Sequence, residues 1–137
     1  MPDHKARLIP ITVDADIIEA RRCGRDLARA AGFSNGDQTV IAAAVSEISR
    51  NIVLYARRGE VRFQVVDDGQ KRGLIIVASD EGPGIRDLDL AMQEGYSTSG
   101  GFGLGLPGAK RLMDEFEIAS EPGRGTTITM RKWIRNA

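Results

Sequence analysis

The sequence predicts an α+β protein, a two-layer α/β sandwich with helices on one face of a mixed sheet. Three observations carry this expectation. The predicted elements run strand, two helices, two strands, helices, two strands, which is not the strict alternation of a doubly wound sheet. Ile41, Val45, Ile48, Ile52 and Tyr55 recur at three- and four-residue steps, giving one long helix a single apolar stripe. Residues 74–78 form an unbroken apolar run, as expected of a strand in the middle of a sheet.

Each element follows from local chemistry. Residues 7–13 read as a strand through Leu8, Ile9, Ile11 and Val13. Asp14 is placed to cap a helix over 15–31 that Gly32 ends, with Ile17, Ile18, Leu27 and Ala28 as its apolar face. Ser34-Asn35-Gly36-Asp37 is a turn that offers caps to the striped helix, set at 38–56, and Arg57-Arg58-Gly59 stops it. Val61, Phe63 and Val65 alternate in a strand over 60–66, and residues 67–70 make a hairpin-type turn into the run at 74–78. Asp80-Glu81-Gly82-Pro83-Gly84 breaks that strand. A short helix over 87–93, a glycine-rich loop, a helix over 109–115 and a strand over 116–119 follow. After a turn at 121–125 the β-branched segment 126–134 reads as the last strand.

The 137 residues fit one domain, large enough to bury a core without staples. Basic and acidic residues number 19 each, so neither nucleic acid nor a membrane surface is an expected partner. The single cysteine, Cys23, excludes an internal disulfide and reads as a small helix residue in a reducing compartment. No apolar run approaches the roughly 20 residues of a bilayer span, and the first residues lack a signal-peptide core. A cytoplasmic location is expected.

Four constellations carry chemistry. Glu47 and Asn51 are four apart, so they share one helix face, roughly 100° from the centre of the apolar stripe. At that edge a carboxylate and a carboxamide can activate a hydroxyl and hold Mg²⁺ through oxygen, although such a pair alone also fits two solvated residues. Asp80 follows a buried strand, where its acceptor-only carboxylate suits an exocyclic amine. Gly82 and Gly84 beside it admit a flat ligand, and the segment alone also fits a Pro-Gly turn. Residues 100–108 hold five glycines ahead of a helix, and helix-start N–H groups and glycine together favour phosphate. Gly123-Arg124-Gly125-Thr126-Thr127-Ile128 turns tightly into a strand, and a hairpin alone also explains it.

Each motif occurs once, and their order is the informative feature. Glu-x-x-x-Asn on a helix, Asp-x-Gly-x-Gly after a strand, Gly-x-Gly-x-Gly-Leu before a helix and Gly-x-Gly-Thr into a strand resemble the GHKL superfamily of ATP-binding domains. That resemblance implies ATP and Mg²⁺ as cofactors. It implies that Asn51 coordinates Mg²⁺ and that Glu47 activates the attacking oxygen. By the same resemblance, Asp80 receives the adenine amine with help from Thr126, and Gly82 and Gly84 line the base pocket. Gly101, Gly103, Leu104, Gly105 and Leu106 form the phosphate loop, with residues 85–100 as its lid. Arg86 is the lid's only cation; Arg50 and Arg124 are open to a cationic role at the phosphates and read more simply as surface charges.

The superfamily narrows further. The one histidine, His4, lies near the start, away from any helix pair of the kind a histidine kinase phosphorylates. Residues 95–116, with Ser46-Glu47-Ile48-Ser49-Arg50-Asn51-Ile52 and Asp80-Glu81-Gly82-Pro83-Gly84-Ile85, resemble the RsbT-type serine/threonine kinases of the stressosome. The resemblance implies STAS-domain scaffold or antagonist proteins as substrates and a PP2C-type phosphatase activated by docking. The alternatives are an anti-sigma factor of the same fold that holds a sigma factor, and a nucleotide-binding activator with little catalysis.

Overall fold

The computed structural model describes residues 6–84 and 105–135. It places β1 (Ala6–Ile11), α1 (Asp14–Ala31), α2 (Asn35–Tyr55), β2 (Gly59–Asp67), β3 (Arg72–Asp80), α3 (Gly105–Leu112), β4 (Glu115–Glu121) and β5 (Gly125–Trp133) in that order. The strands form one sheet in the order β1-β2-β3-β5-β4, and the three helices among the described residues pack on it. The expected short helix over 87–93, the lid and the glycine-rich loop up to Leu104 lie outside the described residues.

The α+β sandwich is as expected, but the sheet is antiparallel at every pair rather than mixed. The reason is the even number of helices between β1 and β2. One crossover helix returns the chain for a parallel strand; two, traversed out and back, deliver it at the same end and force an antiparallel one. Tight turns join β2 to β3 and β4 to β5, so those pairs are antiparallel as well.

The sheet face toward the helices is built from alternate residues: Val61, Phe63 and Val65 of β2, Leu74, Ile76 and Ala78 of β3, and Ile128 and Met130 of β5. Ile41, Val45, Ile48 and Ile52 of α2 meet them, all at most 1% exposed. These side chains belong to one cluster that also takes in Ala20, Leu27, Ala28 and Ala31 of α1 and Leu106 and Ala109 of α3. Tyr55, the predicted end of the stripe, is exposed where α2 runs out.

The predicted boundaries shift where caps act. Asp14 is the first helical residue of α1, not its cap; Asp16 reaches back instead, accepting from the N–H groups of Thr12 (2.9 Å) and Val13 (3.1 Å) and from the Thr12 hydroxyl (3.0 Å). Ser34 caps α2 by accepting from the Asp37 N–H at 3.1 Å, so this helix begins three residues before the expected start. Gly32 closes α1 as expected. The α3 helix starts at Gly105 and ends at Leu112, because Pro107 is tolerated in a first turn and Leu106, Pro107 and Gly108 are buried there. The buried Lys132 Nζ donates to the Leu112 carbonyl at 3.0 Å and caps that helix's far end. Cys23 is half-buried, and burial pushes its thiol up to about 11, which fits an inert packing role.

Candidate functional site

One end of the sheet collects the predicted residues. The C-terminus of α2, the start of β2, the end of β3, the start of β5 and the start of α3 all lie there, because strand and helix directions alternate. The register sets Asp80 opposite Thr126 on one side and opposite Gly59 on the other.

Glu47 sits on α2 with its side chain 13% exposed. Its Oε1 accepts from the Gly105 N–H at 3.1 Å, so residues 58 positions apart in sequence meet at the first residue of α3. Gly105 has a positive φ of 70° there. Glu47 Oε2 accepts from Arg50 Nη1 at 2.9 Å. Asn51 lies one turn along the same face, half-buried, and its carboxamide has no hydrogen bond among the described residues.

Asp80 closes β3. Its Oδ1 accepts from the Gly82 N–H at 2.9 Å and from the Thr126 N–H at 3.3 Å. Its Oδ2 takes no hydrogen bond among the described residues. One oxygen therefore fixes the carboxylate to two strands, and the other is left as an acceptor. Thr126 is buried, and its hydroxyl pairs with Ser120 Oγ at 2.8 Å. Ser120 also donates to the Gly125 carbonyl at 3.1 Å, which leaves Thr126 as the donor of the pair.

Gly82 and Gly84 serve the protein itself. A Cβ at Gly82 would come 2.5 Å from Ala56 Cβ, at the C-terminal cap of α2. Gly84 has φ of 80°, and a Cβ on it would strike the Glu121 carbonyl. Leu106 points its side chain into the core, so only its backbone N–H remains for a ligand. Gly101, Gly103 and Leu104 lie outside the described residues.

The sequence reading favoured a surface charge for Arg50 and did not mark Ser120 or Lys132. Arg50 stands three residues after Glu47, a spacing that pairs charges on a helix, and this was the available signal. No local pattern marks the other two: the β4–β5 register sets Ser120 opposite Thr126, and packing of α3 on the sheet brings the Leu112 carbonyl to Lys132. Arg124 is exposed, as expected, with a loose ion pair to Glu121 at 3.7 Å. Among the described residues no three His, Cys, Asp or Glu side chains converge on a metal site, and no helix is long and apolar enough to cross a membrane.

Residues 36–136 match the family described as histidine kinase-, DNA gyrase B-, and HSP90-like ATPase. The chain is 50% identical to a serine/threonine-protein kinase RsbT of Bacillus subtilis over 127 residues, 93% of this chain and 96% of that one. It is 34% identical to an anti-sigma F factor of Thermoanaerobacter over 100 residues, 69% of this chain and 68% of that one. A crystal structure of the RsbU and RsbW domains of a Mycobacterium tuberculosis protein shares the fold, with a TM-score of 0.65 and 21% identity over 96% of this chain. The chain spans 34% of that crystallised chain.

Proposed function

The chain belongs to the histidine kinase-, DNA gyrase B-, and HSP90-like ATPase family and, within it, to the RsbT-type serine/threonine-protein kinases, and from this we propose that it phosphorylates serine or threonine on STAS-domain stressosome proteins and, once released from them, activates a PP2C-type phosphatase by binding it. It is an ATP-binding kinase, and its proposed place of action is the cytoplasm.

The contact between Glu47 and Gly105 supports this reading most directly, because it sets the candidate base against the start of the candidate phosphate helix. Asp80 Oδ2 would accept from the exocyclic amine of adenine, while Oδ1 stays bound to Gly82 and Thr126. The hydroxyl of Thr126, with its hydrogen on Ser120, would accept a hydrogen bond at the base edge or from a water. Gly82 and Gly84 bring backbone rather than side chain to the pocket wall. Gly101, Gly103, Leu104, Gly105 and Leu106 would direct N–H groups at the phosphates.

Asn51 fits a metal that keeps most of its ligands from phosphate and water, since it offers one free carboxamide oxygen on the same helix face as Glu47. Bound Mg²⁺ supplies charge neutralisation on the phosphates. The acceptor hydroxyl attacks the γ-phosphorus, its proton passes to Glu47, and ADP leaves with the bridging oxygen. A carboxylate is a weak base toward an alcohol, so orientation of the hydroxyl is its larger contribution.

Incubation with γ-labelled ATP and a purified STAS-domain protein is expected to place label on serine or threonine of that protein. The anti-sigma F relatives motivate a second arm with a sigma factor. Capture of the sigma factor with no label on the STAS protein would support the sequestering reading instead. ATP binding without transfer to any partner would leave only the phosphatase-docking role.

A further inference from the structure

The pair Arg50–Glu47 differs from the other pairs of the same spacing. Arg22–Glu19 at 3.6 Å and Arg29–Asp26 at 3.3 Å join side chains that are all more than half exposed. Such pairs contribute little to stability. In Arg50–Glu47 the distance is 2.9 Å and the acid is 13% exposed against 39% for the arginine. A mostly buried carboxylate is screened less, so its partner acts on it more strongly.

Both oxygens of Glu47 are engaged, and by different elements: Arg50 of α2 holds Oε2, and Gly105 of α3 holds Oε1. A glutamate has three side-chain torsions, and one bond leaves the carboxylate free to swing. Two bonds fix it. In the reading above, the Gly105 N–H is one of the groups that phosphate would take, which releases Oε1 at the moment a hydroxyl needs an acceptor. Oε2 would then be the only anchor left on the carboxylate.

We propose that Arg50 is the positioning residue for phosphotransfer, holding Oε2 of Glu47 so that Oε1 stays directed at the start of α3 when the Gly105 N–H passes to phosphate. The inference rests on Glu47 being the base. It assigns Arg50 no contact with ATP and no part in nucleotide affinity. It also makes charge and reach matter more than the guanidinium plane, so lysine should substitute in part.

The test is steady-state transfer to a STAS-domain protein by the parent, Arg50→Gln, Arg50→Lys and Glu47→Gln, with ATP affinity and thermal melts measured alongside. Arg50→Gln should lower kcat about tenfold at unchanged KM for ATP, with the protein still folded at the assay temperature in its melt, as expected when a reacting group is mispositioned. Arg50→Lys should recover most of the loss. Parental kcat in Arg50→Gln, a loss confined to KM for ATP, or no recovery with lysine would overturn the role. Glu47→Gln separates the two claims: if it alone abolishes transfer while Arg50→Gln is silent, only the Arg50 assignment fails. If Glu47→Gln retains parental kcat, the base assignment fails, and Arg50's role falls with it.

Discussion

Asp80 divides its work between its two oxygens. Oδ1 ties β3 to Gly82 and to Thr126 of β5, and Oδ2 is the acceptor left over. Replacing it by asparagine with the amide nitrogen at the outer position keeps the inner acceptor and turns a donor toward the adenine amine. Asp80→Asn should therefore weaken ATP binding by about 10- to 100-fold, the cost of an unpaired polar group at roughly 1–3 kcal/mol. The melt of the free protein should change little. Parental affinity in a titration with ATP would show that Asp80 does not read the base. The acceptor was legible in the sequence because a carboxylate followed a buried run. Its double attachment was not, since Thr126 lies 46 positions away and only the register of β3 with β5 brings it there. Gly82 and Gly84 were legible as close approaches, but what approaches is Ala56 and Glu121 of the protein itself.

At the scale of elements, helix ends decide the geometry. The backbone N–H of Thr12, then that of Val13, then the Thr12 hydroxyl hold the Asp16 carboxyl below the usual carboxylate range. A depressed folded pKa contributes stability that is present above the unfolded value, roughly 3.9, and is lost as pH falls through the lowered folded value. Asp16→Asn should melt with a shallower fall below about pH 4 than the parent does. Asp68, held low by the N–H groups of Lys71 and Gln70 in the β2–β3 turn, keeps part of the slope in the variant. Superimposable pH profiles for the two proteins would contradict the cap. Asp14 and Asp16 both stand near the start of α1, and choosing between them requires the chain direction after β1, which local sequence does not encode.

The other decisive end belongs to α3. Lys132 reaches the Leu112 carbonyl from β5 while Gly105 meets Glu47 at the opposite end, so the helix is held at both. Lys132→Met keeps the buried stem and removes the donor. It should cost about 1.5–3 kcal/mol in a denaturant melt, the range for a hydrogen bond to a charged group. A melt equal to the parent's would assign the helix end to packing alone. The first turn of α3 was hidden in the sequence by its glycines and Pro107, which read as loop until burial against α2 is known.

For the whole molecule, the order of elements was enough for the α+β class, and the strict helical stripe was enough for α2. The strand directions were not legible, because whether a sheet is mixed or antiparallel depends on how many helices lie between strands and where each returns. The antiparallel order β1-β2-β3-β5-β4 then does the functional work. It brings Asn51, Asp80, Gly105 and Thr126 to one end of the sheet from four separate elements. Trp133 lies at the opposite end of β5, half-buried, with its indole N–H on Glu115 at 2.8 Å and Lys71 4.1 Å over its ring.

The central claim is that one carboxylate at this end of the sheet serves transfer rather than nucleotide binding. The most direct measurement is Glu47→Ala assayed for ATP affinity and for phosphoryl transfer to a STAS-domain protein in the same preparation. Affinity within about threefold of the parent, with transfer reduced by at least about 100-fold, is the predicted result for loss of a positioned base. Transfer at the parental rate with affinity retained would contradict it.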